Sequence, residues 1–135
     1  MSTSEKIESY LIRAGADYET VDESTWIIHD EIDHVDNIVV QDSNPVLVFN
    51  IRLMDLPTEQ DKQLKLFRRL LELNATEMVS GAYGLDSSGV VISETLQIEN
   101  LDFNEFQAAL DGITLAISDH YQSLKEFHVS SVEEA

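Results

Sequence analysis

The chain has 135 residues, 26 of them acidic and eight basic, giving a formal charge of −18, and it contains no cysteine. This length fits one domain with a core large enough to need no covalent staple, and the missing thiols exclude a disulfide framework, a thiolate metal site and cysteine catalysis. So acidic a surface repels phosphate backbones and anionic lipids, which argues against nucleic-acid and membrane-surface roles and for partners with basic segments.

No uninterrupted apolar stretch approaches the ~18 residues of a membrane span, and Met1-Ser2-Thr3-Ser4-Glu5 lacks the basic-then-apolar order of a secretory signal. The expectation is a cytoplasmic protein. A first helix is expected from about Ser4 to Ala14. Ile7, Tyr10, Leu11 and Ala14 fall at helical spacing, Ser2 and Glu5 can close a capping box, and Gly15 supplies the stop. Asp17 to Ser24 reads as a polar, acidic connection. Thr25 to His29 has the β-branched and aromatic character of a strand. His29 to Asp36 is too charged for a central strand and reads as a turn, with Asn37 to Gln41 a second strand. Ser43-Asn44-Pro45 marks another turn before the third and strongest strand, Val46 to Leu53. There Leu47, Phe49, Ile51 and Leu53 share the core face, while Val46, Val48, Asn50 and Arg52 occupy the other.

The middle helix is expected from Thr58 to Asn74. Leu64, Leu66, Phe67, Leu70, Leu71 and Leu73 cover roughly half its circumference, wider than the stripe of a helix with one buried face. Such a helix packs against two things, one of which can be a second copy of the chain. Its polar side carries Lys62, Lys65, Arg68 and Arg69, half of all the basic residues. Met78 to Leu85 then forms a strand, Asp86-Ser87-Ser88-Gly89 a hairpin turn, and Gly89 to about Ile98 the return. A bulge near Ser93 is expected to turn Glu94 to water. In the last helix Asp102 and Glu105 suit a capping box, and Phe103, Phe106, Leu110, Ile113, Ile117, Tyr121 and Leu124 make one stripe. Gly112 costs that helix about 1 kcal/mol relative to alanine, for which close packing is the usual reason. Residues 1–128 form a single domain, and Val129 to Ala135 a short polar tail.

The order is helix, three strands, helix, two strands, helix. Strands and helices do not alternate one for one, so the expected class is α+β, with a mostly antiparallel sheet and the helices on one face.

Leu70-Leu71-Glu72-Leu73-Asn74, Gly81-Ala82-Tyr83-Gly84-Leu85-Asp86 and Gly89-Val90-Val91 resemble the "LL-x-x-N, G-x-x-G-L-D, G-x-V" run of the type III secretion chaperone-like superfamily, which includes the YbjN-like proteins. Trp26, Leu56-Pro57, Leu96, Leu101 and the amphipathic last helix continue the likeness over residues 4 to 127. The resemblance implies a small homodimer that binds extended segments of other proteins without catalysis or cofactor, its middle helix forming much of the dimer contact and an apolar patch on the sheet receiving the partner. YbjN-like members are linked to stress or regulation. The expected dimer residues are Leu66, Arg69, Leu70 and Leu73, and the expected partner-binding residues are Val46, Val48 and Asn50.

The competing reading is a metal- or small-molecule-binding protein centred on His29, Asp30, Glu31, Asp33, His34 and Asp36. Imidazoles and carboxylates bind divalent ions when they converge, but His29 and His34 lie five apart and the loop lacks the glycine and glutamate of an EF-hand. A solvated acidic turn accounts for the same residues. His120 and His128 read as helix-surface or helix-end residues. No nucleophile elbow and no phosphate loop occur, and scattered carboxylates carry no mechanism by themselves, so no enzymatic role is expected.

Overall fold

The computed structural model describes residues 2–30, 35–87 and 89–127. Along the chain lie α1 (Thr3–Arg13), β1 (Asp17–Asp22), β2 (Thr25–Asp30), β3 (Val35–Ser43), β4 (Val46–Met54), α2 (Gln60–Thr76), β5 (Ala82–Asp86), β6 (Gly89–Gln97) and α3 (Phe103–Lys125). The strands form one six-stranded sheet in the order β1-β2-β3-β4-β6-β5, antiparallel at every pairing. This is the expected α+β class with one strand more than the sequence reading allowed.

The additional strand is β1. Only Tyr18 among its residues is drawn toward the core, and the rest are exposed carboxylates, Thr20 and Val21. A strand buried at one position has no alternation to read. Tyr18 pairs opposite Ile28, and its hydroxyl donates to Glu8 Oε2 at 2.9 Å, joining the edge strand to α1.

Local signals decide both terminal helices. The Ser2–Glu5 box closes with bonds of 2.9 and 3.1 Å, and the Asp102–Glu105 box with 3.1 and 2.8 Å. Each satisfies amides that a helix start otherwise leaves unpaired. In contrast, α2 begins two residues later than expected, at an N-cap, Glu59, that makes no side-chain capping bond. Its stability therefore rests on packing.

The core lies between one face of the sheet and the three helices. Trp26, Ile28, Ile38, Val40, Leu47, Phe49, Ile51, Val90 and Ile92 come from the sheet, and Ile7, Leu11, Leu66, Leu70, Phe106, Ile113 and Ile117 from the helices. Each such side chain contributes about 1.5–3 kcal/mol over an exposed one. The expected bulge near Ser93 is absent, since β4 and β6 stay in register from Val46↔Gln97 to Arg52↔Val91. The irregularity falls instead between Arg52 and Met54, so Met54 takes the inward place expected for Leu53. Glu94 keeps the parity of Phe49 on the helix side. It lies beyond the last β5 pairing, half-buried, where its Oε1 accepts the Thr95 amide at 3.1 Å.

Two glycines stand where an added side chain would strike a neighbour, backbone in one case and a side chain in the other. At φ +135°, a Cβ on Gly89 would collide with the carbonyl of Met54, and one on Gly112 would stand 2.6 Å from Ser80 Cβ. Gly112 thus admits the 77–81 connection against α3, the close approach the sequence suggests.

A side-chain amide fixes α2 on the sheet. Asn74 Oδ1 accepts the Tyr83 amide at 2.8 Å and its Nδ2 donates to the Tyr83 carbonyl at 3.1 Å. Since a backbone N–H makes one good bond, these are the groups of Tyr83 that face away from β6. The amide fills the place of a seventh strand on this edge. Beneath it, the Tyr83 hydroxyl lies 2.6 Å from Nδ1 of His120, both residues buried. Burial raises the tyrosine pKa strongly, so the hydroxyl stays protonated and shares one hydrogen bond with the imidazole. His120 is therefore a core residue, contrary to its surface placement from sequence.

Replacing Gly112 by alanine should lower stability by about 1–3 kcal/mol despite the gain in helix propensity, and Ser80→Gly in the same chain should restore most of it, measured by urea unfolding. Asn74→Ala should cost about 1–2 kcal/mol and speed amide exchange at Tyr83 selectively, read by native-state hydrogen exchange.

Candidate self-association and partner-binding surfaces

Two faces of the molecule carry aliphatic side chains that its own core does not absorb. The first is the outer side of α2. Leu66 and Leu70 are 0% and 4% exposed, whereas Leu64 and Leu71 are 70% and 68% exposed. At 100° per residue, Leu64, Arg68, Leu71 and Ala75 cluster about 170° around the helix from Leu66. The wide apolar arc is thus two opposed stripes. One closes the subunit core, and the other, a shallow groove lined by Leu64, Arg68, Leu71, Glu72 and Ala75, faces out.

This corrects the expected dimer residues. Leu66 and Leu70 are used inside the subunit, and Leu73 packs against the same core. Arg69 is an internal clip: Nη1 donates to the Ser123 carbonyl at 2.9 Å and to Ser123 Oγ at 2.6 Å, and Nη2 stands 3.6 Å from Glu126. Its guanidinium also lies 5.7 Å from the Phe127 ring. These contacts fasten α2 to the end of α3, as Asn74 fastens it to β5. Leu64 and Leu71 have the same hydropathy as the inward pair, so periodicity alone cannot rank the two stripes.

The second face is the side of the sheet away from the helices. Val46, Val48 and Asn50 project there as expected, each half-buried. Val46 lies between Ser43 and Gln97, Val48 between Gln41 and Thr95, and Asn50 between Val39 and Ser93, with Ile27 beyond Val39. Val39 and Ile27 were not singled out from the sequence, although the parity of their strands points to them. These four aliphatics, each half-buried, lie outside the hydrophobic core cluster. They alternate with hydroxyls and amides, a surface that can both bury methyl groups and hydrogen-bond a bound segment.

Of the residues of the competing metal reading, the structure describes the side chain of His29 alone. His29 sits on β2 with Nε2 2.8 Å from Glu19 Oε2 of β1. The Glu31, Asp33 and His34 positions, like His128, lie outside the described residues, and nothing is described of the Asp30 and Asp36 side chains. Among the described residues no group of three or more His, Cys, Asp or Glu could hold a metal ion. A cleft of about 340 Å³ opens beside His29, lined by residues 14–17, Ile28, Ile38 and the Gln107–Thr114 turn of α3. Of its two carboxylates, Asp17 and Asp111, the second accepts from Gln107 at 2.8 Å. No helix among the described residues is long and apolar enough to cross a membrane.

Charge is distributed unevenly over these faces. Within α2, four cations stand against two carboxylates, leaving −20 on the rest of the chain. The helix is thus positive on an acidic molecule, with Lys62, Lys65 and Arg69 along one flank, while on the outer stripe Arg68 is paired with Glu72.

Known proteins share this architecture. YbjN from E. coli superposes with a TM-score of 0.68 at 14% identity, over 89% of this chain and 92% of that one. A chain of the heterodimeric ExoU–SpcU complex, from the type III secretion system of Pseudomonas aeruginosa, gives 0.66 at 16% identity, over 84% and 93%. The complex of the Yersinia pestis type III secretion chaperone SycH with a fragment of YscM2 gives 0.52 at 15%, over 86% and 97%. At these identities the likeness is one of fold. No curated protein sequence matches the chain. The sequence pattern of the CesT_Tir_1 family matches residues 1–130, and the chain belongs to that family of type III chaperones.

Proposed function

We propose that the protein is a non-enzymatic, chaperone-like binding module of the cytoplasm, which pairs with a second copy through α2 and holds a segment of another protein on the open face of its sheet. One observation carries this: a closed core leaves two separate aliphatic surfaces outside it, one on a helix and one on a sheet. Family membership supports a chaperone-like role, and similar folds occur in chaperones bound to other proteins, such as SycH with its YscM2 fragment. Burial of methyl groups supplies affinity at roughly 25 cal/mol per Å² before the costs of ordering. The surrounding carboxylates draw in basic segments and set the association rate.

Light scattering at tens of micromolar should give twice the subunit mass of 15.2 kDa, and Leu71→Glu should return it to the subunit mass with unchanged far-UV circular dichroism. A crosslinked pull-down from the native cell identifies the partner, which is then titrated in pure form. Val48→Glu should weaken that binding by about tenfold or more, ~1.4 kcal/mol, without changing the fold. A partner held equally well by the Val48→Glu variant would contradict the sheet-face assignment.

A further inference from the structure

The cleft beside His29 combines an apolar floor with walls of a single charge. Ile28, Ile38 and Leu110 make the floor, at 3%, 0% and 8% exposure. Gln107, Leu110, Asp111 and Thr114 share one face of α3 at helical spacing, which brings a carboxylate to the opening. Gln107 donates to that carboxylate at 2.8 Å and steadies it. Asp17, the first residue of β1, supplies a second. None of the lining residues is lysine or arginine.

The end of α1 adds negative charge of another kind. Its C-cap Ala14 and the following Gly15 line the cleft, and the last carbonyls of a helix carry the negative end of its dipole. A Cβ on Gly15 would meet nothing within 4 Å, so this backbone stands open to an incoming group. Arg13, the basic residue of the same turn, lies 4.0 Å over the Phe103 ring and does not line the cleft.

We infer that the cleft seats the side chain of a lysine or arginine from the partner segment that crosses the sheet face. This rests on the partner-binding reading above and adds to it a second, charge-specific anchor. The aliphatic stem lies on Ile28, Ile38 and Leu110, and the cationic head stands among Asp17, Asp111 and the carbonyl end of α1. A neutral side chain would desolvate the two carboxylates without returning a charge, and an anion is repelled by them and by the −18 of the whole chain. The reach from the sheet face is short. Glu19 pairs opposite Ile27, and Asp17 stands two residues along β1 from Glu19, about 7 Å at the rise of a strand.

The probe is n-pentylammonium, a cationic head on an aliphatic stem, titrated into the isotope-labelled full chain near neutral pH. Saturable amide shifts should centre on Gly15, Ala16 and Leu110–Thr114, and neither n-pentanol nor sodium chloride should reproduce them. Asp111→Asn should weaken the ammonium by about two- to fivefold, the range of a partly exposed ion pair. Asp119→Asn removes the same charge from the same helix outside the cleft and should leave binding unchanged. Both positions are exposed, so the fold is retained and is checked by circular dichroism. Shifts scattered over the surface, equal losses in the two variants, or n-pentanol binding as tightly as the ammonium would each overturn the inference. The purified partner should lose a similar factor with Asp111→Asn. A partner released by Val48→Glu but untouched by Asp111→Asn would overturn the basic anchor and leave the sheet-face reading standing. One weakened by Asp111→Asn alone would support the cleft and overturn the sheet face.

Discussion

Two hydrogen bonds from one side-chain amide hold the second helix on the end of the sheet, and the position of every exposed leucine on that helix depends on them. Asn74 grips the backbone of Tyr83 from outside, while His120 meets its hydroxyl from within. Arg69 completes the fixation by reaching the last turn of α3. With Asn74 held on β5 and Arg69 on α3, α2 is fixed about its axis. Leu66 and Leu70 stay inside, and Leu64 and Leu71 stay out.

That fixation explains the short run Leu70 to Asn74 followed by Gly81 to Asp86. Leu70 fills the core and Asn74 brackets the strand. At φ +77° Gly81 passes within reach of the Ser93 carbonyl, 2.9 Å from where a Cβ would sit. Tyr83 supplies both the backbone groups and the buried hydroxyl. Each residue serves architecture. The likeness to the family is therefore written in the scaffold, while the surfaces that would meet other molecules carry ordinary aliphatic residues.

How much of this could be read from the chain follows from how local each feature is. The two capping boxes span four residues apiece and were legible, as were the parity of Val46, Val48 and Asn50 and the close packing at Gly112. The edge strand β1 was not, because one inward tyrosine among carboxylates makes no alternation. The bulge opposite Val90 and Val91 was misplaced because its position follows from how β4 leaves the sheet toward α2. The half-circumference arc of α2 resolves into an inward and an outward stripe, and which leucines face inward is decided by where β5 and α3 come to lie. His120 carried a readable signal: it continues the row Ile113, Ile117, Leu124. Its partner stands 37 residues away, and that contact has no local trace.

The bracketed edge has a bearing on how this protein could go astray. An open sheet normally offers its outermost strand to any extended chain, the starting point of fibrils. Here one margin bristles with carboxylates at Asp17, Glu19 and Asp22, and the other already has its Tyr83 amide and carbonyl satisfied. Fibril growth from the folded molecule at that second margin must wait for α2 to peel away, which makes the helix a guard on the sheet as well as a surface of its own.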